Sequence, residues 1–222
     1  FTKSICDEVL KSCTECVSKK RELPKNVVSN RRFAEQPLDI ISIDHFTYTS
    51  VRDRAGYTSI FSIRDEFSRF VVVFPVYTHS IKEAIHNLRL FINFLGTPNV
   101  IHMDNFFDCK EMSNFLQTEG IIGSTSPAYN ASSNGSVERV HLDLRKSIPL
   151  IMKEMNLPID RWSEVLHVAA GYINFSECRS TKFAPMMLMR GCLPSPYFPV
   201  SVQMSKKALS KMWDIARNNS RK

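Results

Sequence analysis

Hydrophobic and polar residues alternate in three consecutive stretches of the chain, and this period of two predicts β-strands. The stretches are residues 38–46, 57–63 and 70–76. Short polar turns separate them, as expected for strands that pair with their neighbours in sequence. The pattern therefore predicts an antiparallel meander of three strands.

Beyond the meander, the hydrophobic pattern alternates between the helical period of 3.6 residues and short apolar runs. It predicts, in chain order, a helix over 81–95 capped by Ser80, a strand over 100–103, a helix over 109–119 and a strand at 121–122. Two further helices are predicted, one that begins near Asn134 and one that runs from near Asp160 to about Cys178. The resulting order β-β-β-α-β-α-β-α-α is typical of an α/β domain, with a five-stranded mixed sheet flanked by helices.

The chain of 222 residues is long enough for one medium-sized domain with further segments at both ends. We expect this main domain to span residues 38–200. A helical stripe and a basic linker precede it in residues 1–37, and a basic amphipathic helix follows it in residues 201–222. No apolar run approaches the roughly 20 residues that cross a bilayer, so we expect no membrane partner.

Charge is distributed unevenly along the chain, whose net charge is +7. Residues 1–37 carry +3 and residues 201–222 carry +5, whereas residues 38–200 carry −1. A basic surplus favours a polyanionic partner such as nucleic acid, although many ordinary soluble proteins carry as much. The flanks, and not the main domain, are therefore the predicted source of non-specific attraction.

Three acidic residues occupy positions at which an α/β domain places chemistry. Asp44 lies near the end of the first predicted strand, Asp104 follows the fourth, and Glu138 lies in the first turns of the helix after a polar loop. Converging carboxylates repel one another unless cations bind among them, and Mg²⁺ or Mn²⁺ prefers such oxygen ligands. The alternative is that each acid is an ordinary solvated residue at a strand end or helix start.

The helix that carries Glu138 presents two more polar side chains on the same face. His141 and Arg145 lie three and seven residues further on, which is about one and two helical turns. A cation this close to a metal-binding carboxylate would hold a DNA phosphate. An ordinary helix ion pair or a solvated arginine fits the spacing equally well.

Three motifs carry a family resemblance: Ile43-Asp-His-Phe46, His102-Met-Asp-Asn105, and the run from Ser126 to Arg139 that reads SPAYNASSNGSVER. Together they resemble the D,D,E catalytic core of retroviral and gypsy-like LTR-retrotransposon integrases. The run that ends in Val-Glu-Arg is the most specific of the three. The resemblance extends to residues 65–70 and 181–191, so it covers most of the chain.

The resemblance implies an RNase H-like fold in which Asp44, Asp104 and Glu138 are catalytic and bind two Mg²⁺ ions, or Mn²⁺. Such integrases trim the 3′ ends of element cDNA and join them to target DNA by direct transesterification. They act as multimers in the nucleus, so DNA and further copies of the chain are the expected partners. The implied DNA-binding residues are Asn105, Tyr129, Asn134, Arg139, His141, Arg145 and Lys146.

Several positions depart from the family pattern. Arg145 stands where the family has a DNA-contacting lysine, and His141 stands in place of a usual asparagine. Phe106 and Phe107 follow where glycine is usual, which predicts a stiffer or reshaped entrance to the site. Pro149 lies inside the long helix, where it removes a backbone hydrogen bond and predicts a kink.

Cys13 and Cys16 form a C-x-x-C pair that resembles the end of the family's N-terminal His-His-Cys-Cys zinc module. No histidine precedes His45, so residues 1–44 cannot complete a His/Cys zinc site alone. We expect the two missing ligands to precede Phe1, and Zn²⁺ binding to require them. A redox pair and a chance spacing are the alternatives.

Two other functions are compatible with the same residues. One is a domesticated, non-catalytic descendant that binds DNA or protein through the integrase fold. The other is a different RNase H-like phosphotransferase, such as a DNA transposase or nuclease. Retention of all three acids favours catalysis.

Overall fold

The structure is a computed structural model that describes residues 34–125, 135–191 and 206–221. The predicted zinc-module residues Cys13 and Cys16 lie outside the described residues, as do Tyr129 and Asn134 of the polar loop. Within the described ranges, no helix is both long enough and apolar enough to cross a membrane.

Within the described residues, five strands form one mixed sheet: β1 (Ile40–Phe46), β2 (Ser59–Asp65), β3 (Val71–Val76), β4 (Val100–Met103) and β5 (Ile122–Thr125). Their spatial order is β3-β2-β1-β4-β5. β1, β2 and β3 pair antiparallel, whereas β4 runs parallel to β1 and β5 runs parallel to β4. The predicted meander and the predicted mixed sheet are both confirmed.

The helices connect and cover these strands. They are α1 (Ile81–Leu95), α2 (Lys110–Glu119), α3 (Gly135–Glu154), α4 (Leu166–Phe175), α5 (Pro185–Arg190) and α6 (Lys206–Ser220), with short 3₁₀ segments at Asn105–Phe107 and Ile159–Val165. Ser80 caps α1 as predicted, because its hydroxyl accepts a hydrogen bond from the Glu83 backbone N–H at 3.2 Å.

One helical prediction needs correction. The element predicted from Asp160 begins as a 3₁₀ segment and becomes an α-helix only at Leu166, because Arg161 has non-helical backbone angles (φ −119°, ψ 24°). It ends at Phe175, short of the predicted end. The helix α3 continues past Pro149 to Glu154, and the kink expected at this proline stays a prediction.

Alternation along β1 and β2 divides the core between the two faces of the sheet. Ile43 faces a cluster built with α1 and α2, whereas Phe46 and Ile60 face a second cluster built with α3 and α4. Asp44 and Ser62 alternate in phase with Phe46 and Ile60. Both side chains therefore lie on the face of the sheet that α3 covers.

The helix α6 lies within the segment for which the sequence predicts a basic amphipathic helix. Met212 and Ala216 on its apolar face are buried in a cluster with Phe67 and Leu188. The Trp213 indole donates a hydrogen bond to the Leu188 carbonyl oxygen at 3.0 Å. These contacts attach α6 to α5 and to the turn between β2 and β3.

One side chain joins the edge strand β3 to α4. The buried Asn174 amide oxygen accepts a hydrogen bond from the Val71 backbone N–H at 2.8 Å, and its nitrogen donates to the Val71 carbonyl oxygen at 2.7 Å. The amide thus satisfies both backbone groups of a strand residue, as a neighbouring strand would.

We expect Asn174→Asp to lower the free energy of unfolding by about 2–4 kcal/mol, because the variant loses a donor and places a carboxylate against the Val71 carbonyl. Chemical denaturation measures this difference. The matched control is Asn114→Asp on the exposed side of α2, where we expect a change below about 0.5 kcal/mol. Equal losses in the two variants would contradict the role of Asn174.

Candidate active site

Asp44 and Asp104 come together because β1 and β4 are parallel neighbours, so the carboxyl ends of the two strands lie side by side. Asp44 lies near the end of β1, and Asp104 directly follows β4. The Asp104 Oδ1 atom accepts a hydrogen bond from the Phe106 backbone N–H at 3.1 Å, which begins the 3₁₀ turn. Strand pairing and this cap therefore position both carboxylates.

The pKa of the Asp44 carboxyl group is raised well above the ordinary value for aspartate. Burial raises the pKa of Asp44 to about 7, and the negative charges of Asp104 and, more weakly, Glu138 add to the increase. A hydrogen bond donated by the His45 backbone N–H at 2.7 Å acts in the opposite direction. Negative charge at this edge is therefore poorly compensated, and a divalent cation would neutralise it.

Glu138 occupies an exposed position in the first turn of α3. Its charge reaches Asp44, so the three predicted acids share one region of the molecule. No three His, Cys, Asp or Glu side chains within the described ranges lie close enough together to hold a metal ion. The donor chemistry suits Mg²⁺ or Mn²⁺, but binding of one ion by all three acids would require them to lie closer together.

His141 lies directly beside Asp44. Its Nδ1 atom is 3.9 Å from Asp44 Oδ2, and its ring stacks on the Phe46 ring with a centroid distance of 4.0 Å. Burial, together with the charge of Arg145, lowers the pKa of His141 to about 4. The imidazole is therefore neutral at pH 7, and its contact with Asp44 is not an ion pair.

Arg145 bonds to the protein's own backbone. Its Nη2 atom donates to the Thr47 carbonyl oxygen at 2.8 Å, and its Nη1 atom donates to the Tyr48 carbonyl oxygen at 3.3 Å. The guanidinium carbon also lies 5.6 Å from the centroid of the Phe46 ring. These contacts attach α3 to the chain just beyond β1, so a DNA phosphate would have to compete with them.

The other predicted DNA-binding residues within the described ranges are exposed to solvent. Arg139 lies 3.8 Å from Asp143 in an exposed pair one turn apart on α3. Lys146 is exposed on the same helix, and Asn105 is exposed in the 3₁₀ turn. These side chains are accessible to a ligand, unlike His141.

Comparison with known proteins places this geometry in context. No family model matches the chain. Its sequence is similar to the Pro-Pol polyprotein of simian foamy virus type 3 (strain LK3), with 24% identity over 187 residues, which is 83% of this chain and 16% of that protein. It is also similar to the Pol polyprotein of the transposon gypsy from Drosophila melanogaster, with 26% identity over 151 residues, 64% of this chain and 13% of that protein.

The fold is shared with solved structures, two of which are described next. One is the simian T-cell lymphotropic virus intasome in complex with the PP2A regulatory subunit B56 gamma, with a TM-score of 0.61, 25% identity, and coverage of 93% of this chain and 72% of that one. The other is the HTLV-2 integrase catalytic core domain in complex with magnesium, in a trimeric form, with a TM-score of 0.56, 21% identity, and coverage of 69% and 97%. The chain has the fold of a retroviral integrase catalytic core. The resemblance predicted from the sequence is thereby confirmed.

An aromatic cluster beside these acids was missed by the sequence analysis. The His45 ring stacks between the rings of His79 and Phe107, at centroid distances of 5.0 and 5.2 Å. Phe107 is 1% exposed and fills the core under the turn, whereas Phe106 is 47% exposed. Because the cluster draws on separate elements, hydrophobic periodicity within one element gives no signal for it.

Ser62 is the second residue of the site that the sequence analysis missed. It pairs with Asp44 in the register of β1 and β2, and its hydroxyl donates to the Asp44 carbonyl oxygen at 3.2 Å. The Ser62 hydroxyl oxygen also lies 3.0 Å from His141 Nε2. A fully buried serine in an apolar strand is the signal that could have marked it, once the register was known.

We expect Asp104→Asn to lower the pKa of Asp44 from about 7 toward the ordinary aspartate value, because the substitution removes a neighbouring negative charge. A ¹³C NMR titration of the Asp44 carboxyl carbon in chelator-treated protein measures this change. Asp108→Asn, at an exposed position after the same turn, is the matched control. If the two variants give the same pKa, the two carboxylates do not interact.

We also expect Arg145→Met to lower the free energy of unfolding by about 1 kcal/mol, because two hydrogen bonds to backbone carbonyls are lost from a partly solvated site. Lys146→Met removes the same charge from the next residue and should change stability by less than about 0.5 kcal/mol. Urea denaturation of both variants measures the difference. Equal effects would mean that charge alone, and not the bonds to Thr47 and Tyr48, explains the result.

Proposed function

We propose that the chain is the catalytic core of a divalent-metal-dependent DNA integrase. The observation that carries the proposal is the parallel pairing of β1 with β4, which brings Asp44 and Asp104 together in a chain with an integrase-core fold. Glu138, at the start of α3, is the third proposed ligand. The magnesium bound by the HTLV-2 core supports Mg²⁺ as the cation, with Mn²⁺ as the alternative.

The proposed reaction consists of two phosphoryl-transfer steps, a hydrolysis and a transesterification. In 3′-end processing, a water oxygen forms a bond to a phosphorus near the DNA end, the P–O3′ bond breaks, and the freed 3′ oxygen takes up a proton. In strand transfer, that 3′-hydroxyl oxygen loses its proton and bonds to a phosphorus of the target, while the target's own P–O3′ bond breaks and the released 3′ oxygen takes up a proton. Divalent cations held by the three acids would activate the attacking oxygen and stabilise the leaving one.

DNA would be held by cationic groups outside the carboxylate cluster. Arg139 and Lys146 are exposed on α3, and Lys207 and Lys211 are exposed on α6. Two bound dications would change the net charge of residues 38–200 from −1 to +3, in the region that must meet the scissile phosphate. The basic flanks would supply attraction independent of DNA sequence.

We further propose that the protein acts as a multimer and in the nucleus. One structural neighbour is an intasome and the other is a core in a trimeric form, which supports a multimer. The nuclear location follows from the chromosomal target of the proposed reaction. The chain spans about a sixth or less of the Pol polyproteins it matches, so it corresponds to only one of their segments.

A non-catalytic function is the second candidate, and one observation favours it. The described acids and histidines do not form a three-residue metal site, and Phe106 and Phe107 occupy the turn beside Asp104. A domesticated core of this kind would bind DNA or protein through its surface without joining DNA ends. If the protein excised a DNA element instead of joining DNA ends, a transposase function would be favoured.

We expect the full chain, with Mg²⁺ or Mn²⁺, to join the 3′ ends of short DNA duplexes to a supercoiled plasmid. Asp104→Asn should reduce joining at least about 100-fold, because a metal ligand is lost. Asp108→Asn, which removes an exposed acid four residues away, should retain activity. If the wild type binds DNA but joins it no better than Asp104→Asn, the integrase proposal fails and the non-catalytic one is favoured.

A further inference from the structure

The hairpin between β1 and β2, residues 47–58, presents positive charge to solvent because its acid is turned inward. Asp53 is buried, and one of its carboxylate oxygens accepts a hydrogen bond from the Ser163 backbone N–H at 3.1 Å. Arg52 and Arg54, on either side of it, are exposed. The exposed charge of the hairpin is therefore that of two guanidinium groups.

Contacts with the 3₁₀ segment Ile159–Val165 hold this hairpin in place. The Arg54 backbone N–H donates a hydrogen bond to the Asp160 carbonyl oxygen at 2.6 Å, and Arg54 Nη2 lies 3.4 Å from Asp160 Oδ2. The Arg54 side chain is 66% exposed, so water screens this ion pair. A phosphate can therefore compete for the guanidinium.

Two tyrosines lie beside the arginines. The Tyr57 and Tyr77 rings pack at a centroid distance of 4.5 Å, and Tyr77 is 51% exposed. A Cβ atom placed on Gly56 would lie 3.6 Å from Arg52 Nη2 and 3.6 Å from the Tyr77 ring, so the guanidinium and the ring flank one point of the surface. We call Arg52, Arg54, Tyr57 and Tyr77 the arginine–tyrosine patch.

Topology places this patch at the same edge of the sheet as the acids. β1 and β3 are both antiparallel to β2, so they end at the same edge. Tyr77 directly follows β3, which lies two strands, or about 10 Å, from β1. Two residues further on, His79 stacks on His45 beside Asp44 at a centroid distance of 5.0 Å. Tyr57 packs against the cluster beneath α3, so its ring and the Asp44 side chain lie on the same face of the sheet.

We propose that the arginine–tyrosine patch binds the DNA backbone next to the scissile phosphate. The inference rests on the proposed function, which places that phosphate at Asp44 and Asp104. Guanidinium groups and tyrosine hydroxyls donate hydrogen bonds to phosphate oxygens. The Arg52 Nε–H donates to the Gly56 carbonyl oxygen at 3.1 Å, which positions the guanidinium and uses one of its five N–H donors. At a rise of about 3.4 Å per base pair, the distance of about 10 Å corresponds to about three nucleotides.

The test measures binding of a short fluorescent DNA duplex by the full chain, with a chelator present so that no joining occurs. Arg52→Gln/Arg54→Gln should weaken binding about tenfold. The slope of the logarithm of the binding constant against that of the salt concentration should become less negative by about 1.8, since each lost phosphate contact contributes about 0.9. Arg89→Gln/Arg179→Gln removes the same charge from exposed positions on α1 and after α4, and should leave the slope unchanged. Equal slopes in the two double variants would overturn the proposal.

Tyr77→Phe keeps the ring and removes only the hydroxyl, so it remains informative if the arginine variant does not fold, which circular dichroism would show. We expect binding about fivefold weaker with an unchanged salt slope, because the lost contact carries no charge. Tyr172→Phe, at a 66% exposed position on α4, is the matched control and should bind as the wild type. Equal affinities in the two tyrosine variants would overturn the role of Tyr77.

A neutral methylphosphonate in place of one phosphate locates the contact along the DNA. About three nucleotides from the scissile phosphate, it should weaken binding by the wild type and leave binding by Arg52→Gln/Arg54→Gln unchanged. The absence of any such position would overturn the placement of the patch. An effect of the arginine variant on the short duplex alone assigns the patch to element ends, and an equal effect on a closed circular plasmid, which has no ends, assigns it to target DNA as well.

The remaining outcomes separate this inference from the proposed function. If the wild type joins DNA and the arginine variant keeps the wild-type salt slope, the patch proposal fails and the integrase proposal stands. If the slope changes as expected but the wild type joins no DNA, the integrase proposal fails and the patch remains a DNA-binding surface. A polyglutamate peptide that binds the wild type but not the arginine variant, with DNA binding unchanged, would overturn the proposal in favour of an acidic protein partner.

Discussion

The parallel pairing of β1 with β4 is the constraint on which the candidate site depends. β1 is the central strand, with antiparallel β2 on one side and parallel β4 on the other. Had β4 run in the opposite direction, Asp104 would lie at the far edge of the sheet from the end of β1. The parallel arrangement requires a crossover, which α1 supplies, and the hydrophobic cluster beneath α1 and α2 therefore stabilises the site as well as the fold.

The same pairing creates the electrostatic problem that defines the site. Two carboxylates at adjacent strand ends repel each other, and the partial burial of Asp44 limits the screening of this repulsion by water. The surroundings do not relieve it, because the neighbouring imidazole is neutral and the guanidinium of Arg145 bonds to backbone carbonyls. A fold that retains this arrangement without a cation bears a cost, and that cost is the strongest physical argument that a cation belongs there.

Asp44 and Asp104 were predictable from the sequence because strand ends follow from the hydrophobic pattern, and the pattern of these strands is strong. The contacts of His141 and Arg145 were not. Helical spacing gives the face on which a side chain starts, but a long side chain such as that of Arg145 can return to the backbone of another element. The position of Ser62 beside Asp44 depends on the register between two strands. The hydrogen bonds of Asn174 depend on the contact between a helix and an edge strand. Neither can be predicted from a local sequence pattern.

The polar residues of α3 fall into two groups, one that contacts the sheet and one that is exposed to solvent. His141 and Arg145 turn toward β1 and hold the helix against the sheet, whereas Arg139 and Lys146 remain exposed. The main domain has a net charge of −1, so the exposed cations act against a negative background until the acids are neutralised. Metal binding would therefore strengthen DNA binding and, because such coupling is reciprocal, DNA phosphates near the acids would strengthen metal binding. In the proposed function, the cation is thus part of the DNA-binding surface as well as of the chemistry.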